Sequence, residues 1–193
     1  MKKIIIVCML FTVTATGAFA QVQGKIRGGL NLGFCIPKGG IGVALDAQLG
    51  YNLKDNMNIG IKYGLAAMAK IDPSGESGSV SANNNILGTF SYYFNSGEGS
   101  FVPFVGGGIG IYTLGSITVG SEYSIELGPR PGILLTTGFE ASKFRLGLEY
   151  NIVPSSAVKF NGSGTPTIEN NSVKNSYLAI TAGFYIGGGK WKK

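Results

Sequence analysis

The chain has 193 residues and a formal net charge of +6, and 32 of its residues are glycine, about double the ordinary share. It holds no histidine and only two cysteines, which excludes Ser-His and Asp-His catalysis and leaves no His/Cys cluster to ligate a metal. No basic run is dense enough to point to nucleic acid.

The chain opens MKKIIIVCMLFTVTATGAFAQ. Lys2 and Lys3 make a charged segment, Ile4 to Thr14 an apolar one, and Ala18-Phe19-Ala20 a small-x-small cleavage site. This order predicts a secretory signal peptide over residues 1–20 and a mature domain over 21–193 that starts at Gln21. Removing Lys2 and Lys3 takes the net charge from +6 to +4. Cys8 lies inside the apolar segment and is not placed for lipidation. Cys35 is then the single mature cysteine, so no intramolecular disulfide is expected. After the leader no apolar run reaches ~18 residues, so no transmembrane helix is predicted.

From Val22 onward the chain alternates with a period of two and nowhere reads at helical period. Eight strands are predicted. The first, roughly Gln23–Phe34, sets Ile26, Gly28, Leu30, Leu32 and Phe34 against Lys25, Arg27, Gly29, Asn31 and Gly33. The second, roughly Gly42–Leu53, and the third, roughly Met57–Lys70, alternate in the same way. A fourth covers about Asn84–Phe94. A fifth, about Phe101–Thr113, has an ambiguous phase because both its faces are small or apolar. Strands six and seven form a hairpin from about Gly132 to Val153, bending at Ser142–Lys143. The eighth covers about Ser176–Gly187.

The connections alternate in length. Lys54–Asn56, Asn95–Ser100 and Ser142–Lys143 are short. Asp72–Asn83, Leu114–Pro131 and Pro154–Asn175 are long and polar, and Ile36–Ile41 is of intermediate length. Short turns at one end and long loops at the other mark an outer-membrane barrel.

Which face meets water is decided by the hairpin GFEASKFRLGLEY. Phe139, Ala141, Phe144, Leu146, Leu148 and Tyr150 share one face, and Gly138, Glu140, Arg145, Gly147 and Glu149 the other. Charges sharing a face with glycines suit a cramped lumen. Tyr51, Phe94, Phe101, Phe139 and Phe144 collect beside the turns, as an interfacial girdle would. Strands of ~10–12 residues match a tilted bilayer crossing. The expected fold is therefore all-β: an eight-stranded antiparallel up-and-down transmembrane β-barrel with its apolar face to lipid.

The inward charges would be Lys25, Arg27, Lys62 and Arg145 against Asp46, Glu140 and Glu149. Buried charges must pair, so these residues form the expected lumen network. An eight-stranded interior is just wide enough for side chains to fill, which favours a plugged lumen; a narrow conduit lined by Arg145 and Lys62 is the alternative. Glu140 and Glu149 as a glycosidase pair would sit in a hairpin interior closed to a polysaccharide. The run GGGIGIY, Gly106–Tyr112, lacks the spacing of a dinucleotide motif, and no helix follows it. No catalytic residue, cofactor or metal is expected. Among the long loops, Tyr123, Phe160 and Ile168 are the contact candidates.

Three segments carry a resemblance: the leader ending AFAQ, YYFNSGEGSFVPFVGGGIGIY (Tyr92–Tyr112) and SYLAITAGFYIGGGKWKK (Ser176–Lys193). They resemble the small outer-membrane β-barrel family, often labelled porin-like, related in architecture to the OmpA transmembrane domain, OmpX and OmpW. The resemblance implies a Gram-negative outer-membrane location in the cell envelope. The partners it implies are outer-membrane lipid and the barrel-assembly machinery, with an extracellular ligand held by the loops and the chain acting as a monomer. Where many such barrels end on an aromatic residue, this one runs on through a glycine–lysine tail containing Trp191, so its assembly signal is expected near Thr181–Ile186. No catalytic or binding residue carries over.

Overall fold

The computed structural model describes residues 23–71, 78–94, 101–115, 117–119, 123–125, 128–157 and 172–188. Twelve strands follow in chain order. They are β1 (Ile26–Pro37), β2 (Gly40–Lys54), β3 (Met57–Ile71), β4 (Gly78–Tyr93), β5 (Phe101–Leu114), β6 (Ile117–Val119), β7 (Tyr123–Ile125), β8 (Pro129–Ala141), β9 (Phe144–Ile152), β10 (Ser156–Ala157), β11 (Ser172–Val173) and β12 (Tyr177–Gly187). Eight of them close into a barrel in the order β1-β12-β9-β8-β5-β4-β3-β2, while β6–β7 and β10–β11 form separate two-stranded sheets. All barrel pairs are antiparallel. The described chain contains no helix.

Alternation sorts the side chains as a membrane barrel does. Leu30, Leu45, Ile61, Ile86, Ile109, Leu135, Leu148 and Ile180 are among the large apolar residues exposed on the outside. Between the rims, no described residue that faces outward is charged. Arg27, Asp46, Lys62, Glu140, Arg145 and Glu149 are all buried inside. Aromatic contacts gather at the end with the short turns: Phe101 stacks on Phe139 at 4.4 Å, and Phe144 meets Phe184 edge-on at 5.8 Å.

Four sequence expectations need correction. Strand β4 starts at Gly78 rather than near Asn84, because Ser79–Asn83, with Val80 and Ala82 at alternate positions, stays paired with β3 (Lys70↔Ser79). The first connection on the long-loop side is only the turn Lys38–Gly39, with Gly39 at φ +80°. The turn after β2 is two residues, Asp55–Asn56, because a bulge between Asn52 and Lys54 sets Lys54 opposite Met57. Strand β8 begins at Pro129, ahead of Gly132. Its ladder to β9 starts only at Ile133↔Ile152, so Pro129 and Pro131 lie where a missing N–H breaks no bond on that side.

The phase of β5 is also fixed. Phe104, Tyr112 and Leu114 are buried inside, whereas Phe101, Val105, Ile109 and Ile111 are exposed outside.

The hairpin between β8 and β9 depends on close backbone approach at Gly138↔Gly147. A Cβ at Gly138 would run into the carbonyl oxygen of Leu146. Gly138→Val is therefore expected to destabilise the refolded barrel by about 1–3 kcal/mol. A urea titration followed by the heat-modifiable gel shift would measure the change; an unaltered midpoint would show that the wall can yield at this point.

Candidate functional site

The lumen is filled in three layers, described here from the short-turn end towards the long-loop end. At the short-turn mouth, Asn58 Nδ2 donates to Asn52 Oδ1 at 2.8 Å, and Asn52 Nδ2 donates to the carbonyl of Gly188 at 3.0 Å. Just inside, Glu140 Oε1 accepts from Arg27 at 2.9 Å, from the Tyr93 hydroxyl at 3.1 Å and from Arg145 at 3.4 Å. The Tyr93 oxygen accepts in turn from Arg27 at 3.1 Å and Arg145 at 3.3 Å. The guanidinium groups also lie over rings: Arg145 3.8 Å from the Phe104 centroid, Arg27 4.2 Å from that of Tyr185. Away from water such cation–π contacts are worth up to about 2 kcal/mol.

The middle layer centres on Lys62. Its Nζ donates to both oxygens of Glu149, at 2.5 and 2.6 Å, and lies 3.2 Å from Asp46 Oδ2. Asn31 Nδ2 donates to Asp46 Oδ1 at 2.6 Å. Tyr185 ties the two ionic layers together. Its hydroxyl donates to Gln48 Oε1 at 2.6 Å and accepts from Asn31 at 3.3 Å, while its ring underlies Arg27.

The layer nearest the long loops is mainly apolar, with the buried Asn83, Asn85 and Asn151 set among its hydrophobic side chains. Cys35, Ala66, Met68, Leu87, Tyr112, Leu134, Val153, Tyr177 and Ala179 form one buried cluster. Cys35, Leu87 and Tyr112 are 0% exposed and Leu134 1%. The Tyr112 hydroxyl donates to Asn151 Oδ1 at 2.7 Å.

Six of the seven charges expected in the lumen are brought together. Lys25 is the exception and corrects that expectation: it precedes β1 and is exposed at the mouth, and its carbonyl caps Asn52 N at 3.0 Å. Without it the two ionic layers hold three cations and three carboxylates, while Arg130, inward on β8 opposite Tyr112 with its Nε buried, lies nearer the long loops. The layer nearest the mouth has two arginines and one glutamate; the middle layer has one lysine and two carboxylates. Each carries one unit of excess charge, of opposite sign, and together they are neutral. That arrangement can hold a lumen closed and desolvated. Among the described residues, no group of three or more His, Cys, Asp or Glu could hold a metal ion.

The sequence reading missed the apolar layer. Its signal was there in parity, since Leu87 follows the outward Ile86 and Leu134 follows the outward Ile133, placing both inside. Of the loop contact candidates, Tyr123 falls in β7, whose backbone pairs with β6 (Val119↔Tyr123); Phe160 and Ile168 lie outside the described residues.

No family model and no curated protein sequence matches the chain. Solved structures do. Neisserial surface protein A (NspA) aligns with a TM-score of 0.57 at 15% identity, covering 84% of this chain and 95% of that one. The outer membrane protein OprG from Pseudomonas aeruginosa aligns with a TM-score of 0.64 at 13% identity, covering 86% and 98%. At these identities the likeness is one of fold. The chain has the closed eight-stranded barrel fold of the small outer-membrane proteins.

Proposed function

We propose that the protein is an integral, non-catalytic outer-membrane barrel whose lumen is sealed and whose activity resides in the elements at its long-loop end. The observation that carries this reading is the apolar layer of Leu87, Tyr112 and Leu134 stacked on a charge-neutral network of six buried ionic side chains. A conduit would need a hydrated route past both. Lipid as the surrounding solvent is supported by the charge-free outer wall and its aromatic rim. The absence of histidine from the sequence removes histidine-based catalysis, in keeping with a non-catalytic role. The loop end carries β6–β7 and β10–β11 on a rigid scaffold, an arrangement suited to binding an extracellular partner.

A second reading, a narrow channel for ions or small solutes, draws on buried atoms without a protein partner: Asn31 Oδ1, Asn83 Oδ1, Asn85 Oδ1, Arg130 Nε and Thr136 Oγ1. Water would satisfy such groups, those of Asn83 and Asn85 lying on β4 and that of Thr136 across the lumen wall on β8.

Two experiments test these readings. Leu45→Arg, on the middle of the outer wall, is expected to cost about 2–4 kcal/mol in lipid vesicles, and Leu53→Arg near the short-turn rim about 0–1 kcal/mol. Equal costs at the two depths would argue against a lipid-facing wall. In planar bilayers, folded wild type and Arg145→Ala are both expected to stay silent, because the apolar layer is intact in each. Discrete wild-type openings whose size or selectivity changes in Arg145→Ala would establish the channel instead.

A further inference from the structure

Among the described residues, the outer wall is interrupted where β8 and β9 part. The ladder between β8 and β9 ends at Ile133↔Ile152, although β8 continues to Pro129 alongside β5. Beyond Ile152 the chain turns towards β12, held by Val153 N donating to Ser176 Oγ at 3.1 Å and by Ser176 Oγ donating back to the Val153 carbonyl at 3.2 Å. The two strands therefore part, and a notch of about 780 Å³ lies between them.

The notch is built for an apolar occupant. Ile109, Ile133 and Ile152 lie side by side on one rung and make its shelf. Pro131 stands on one lip and Pro154 on the other, so neither offers an N–H at its own position. Its wall includes the backbone of Gly110 and Gly132, which face each other across β5 and β8. Behind this wall the Tyr112 ring packs so closely on Gly132 that a Cβ there would fall 2.6 Å from it. Tyr112 is fully buried and Val153 only 3% exposed, so the notch is blind and does not open into the lumen.

We infer that this notch seats a single acyl chain of a bilayer lipid, its end resting on the isoleucine shelf and its head directed to the long-loop rim at Ser155. The occupant follows from continuity. The notch opens onto the apolar outer wall formed by Ile111, Leu135 and Tyr150, whose surroundings in a membrane are hydrocarbon. Its volume falls in the range of small-molecule sites. A ligand needing several hydrogen bonds would find few partners there. This inference rests on the membrane reading above.

The test uses refolded protein in detergent micelles with an equimolar phosphatidylethanolamine bearing a diazirine on its acyl chain. After photolysis, labelled peptides are located by mass spectrometry. Labelling is expected to concentrate on residues 129–133 and 152–155, several-fold above the wall around Ile61, because the notch packs around a chain that the open wall touches on one side only. Ile133→Trp, which fills the notch, should remove that excess, and Ile61→Trp on the far wall should leave it in place. If Ile133→Trp does not fold, Ser155→Trp at the rim makes the same test. Even labelling around a folded barrel, or labelling that survives the filled notch, overturns the seat while leaving the membrane reading intact. No labelling of any wall in micelles, together with failure of the same refolded protein to insert into phosphatidylethanolamine vesicles in a parallel flotation assay, overturns both.

Discussion

The structure depends on closure of the backbone ladder between its first and last strands. Eleven residue pairs, from Arg27↔Gly187 to Pro37↔Tyr177, join β1 to β12. A sheet left open there would expose a row of unpaired N–H and C=O groups on each edge, and hydrocarbon offers them no partner. Once the ring is closed, alternation leaves every side chain only two destinations, the outer wall or the lumen. Sequence-local turns fix the parity, so one hairpin such as β8–β9 commits all its residues at once.

Crowding then explains the glycine content. The lumen of eight strands cannot hold a large side chain at every inward position, and large residues are set beside glycines on neighbouring strands. The ring of Tyr185 lies over Gly29, the ring of Tyr112 over Gly132, and the amide of Asn85 over Gly64. A Cβ at any of these three positions would collide with the neighbour it now accommodates. The inward glycines and the luminal tyrosines and asparagines are thus two halves of one packing arrangement, and a Cβ added to one half forces the other to move.

Much of this was legible in the residues. Opposed pairs such as Glu140↔Arg145, Thr136↔Glu149 and Gln48↔Lys62 follow from counting across short turns. Strand ends were less legible. Ser79–Asn83 alternates only weakly, through the small Val80 and Ala82, and its pairing with β3 keeps it in the sheet; Pro129 and Pro131 look like loop residues until their unpaired side is known. Counting within a strand placed Lys25 inside, but whether a position lies within the barrel or below its mouth depends on where the last ladder bond forms. The phase of β5 was hidden because Gly106, Gly107 and Gly108 report neither face; Tyr112 is placed inside by its hydrogen bond to Asn151 on a strand remote in sequence.

The two ionic layers also account for one another. A lysine between two carboxylates, or two arginines around one, would each leave a net charge in a dry interior, where an uncompensated charge costs several kcal/mol. Placed in adjacent layers, the surplus of one is the deficit of the other, and Tyr185 links them, its hydroxyl hydrogen-bonded to Asn31 and Gln48 and its ring under Arg27. Aromatic faces take up part of what remains, since Arg145 lies on Phe104 and Arg27 on Tyr185. Removal of any one of the six charges would therefore unbalance both layers, so the network acts as a unit: it fixes the strands that carry it, β1, β2, β3, β8 and β9, against sliding past one another. The wall that those strands form is the rigid base on which the elements of the long-loop end are held.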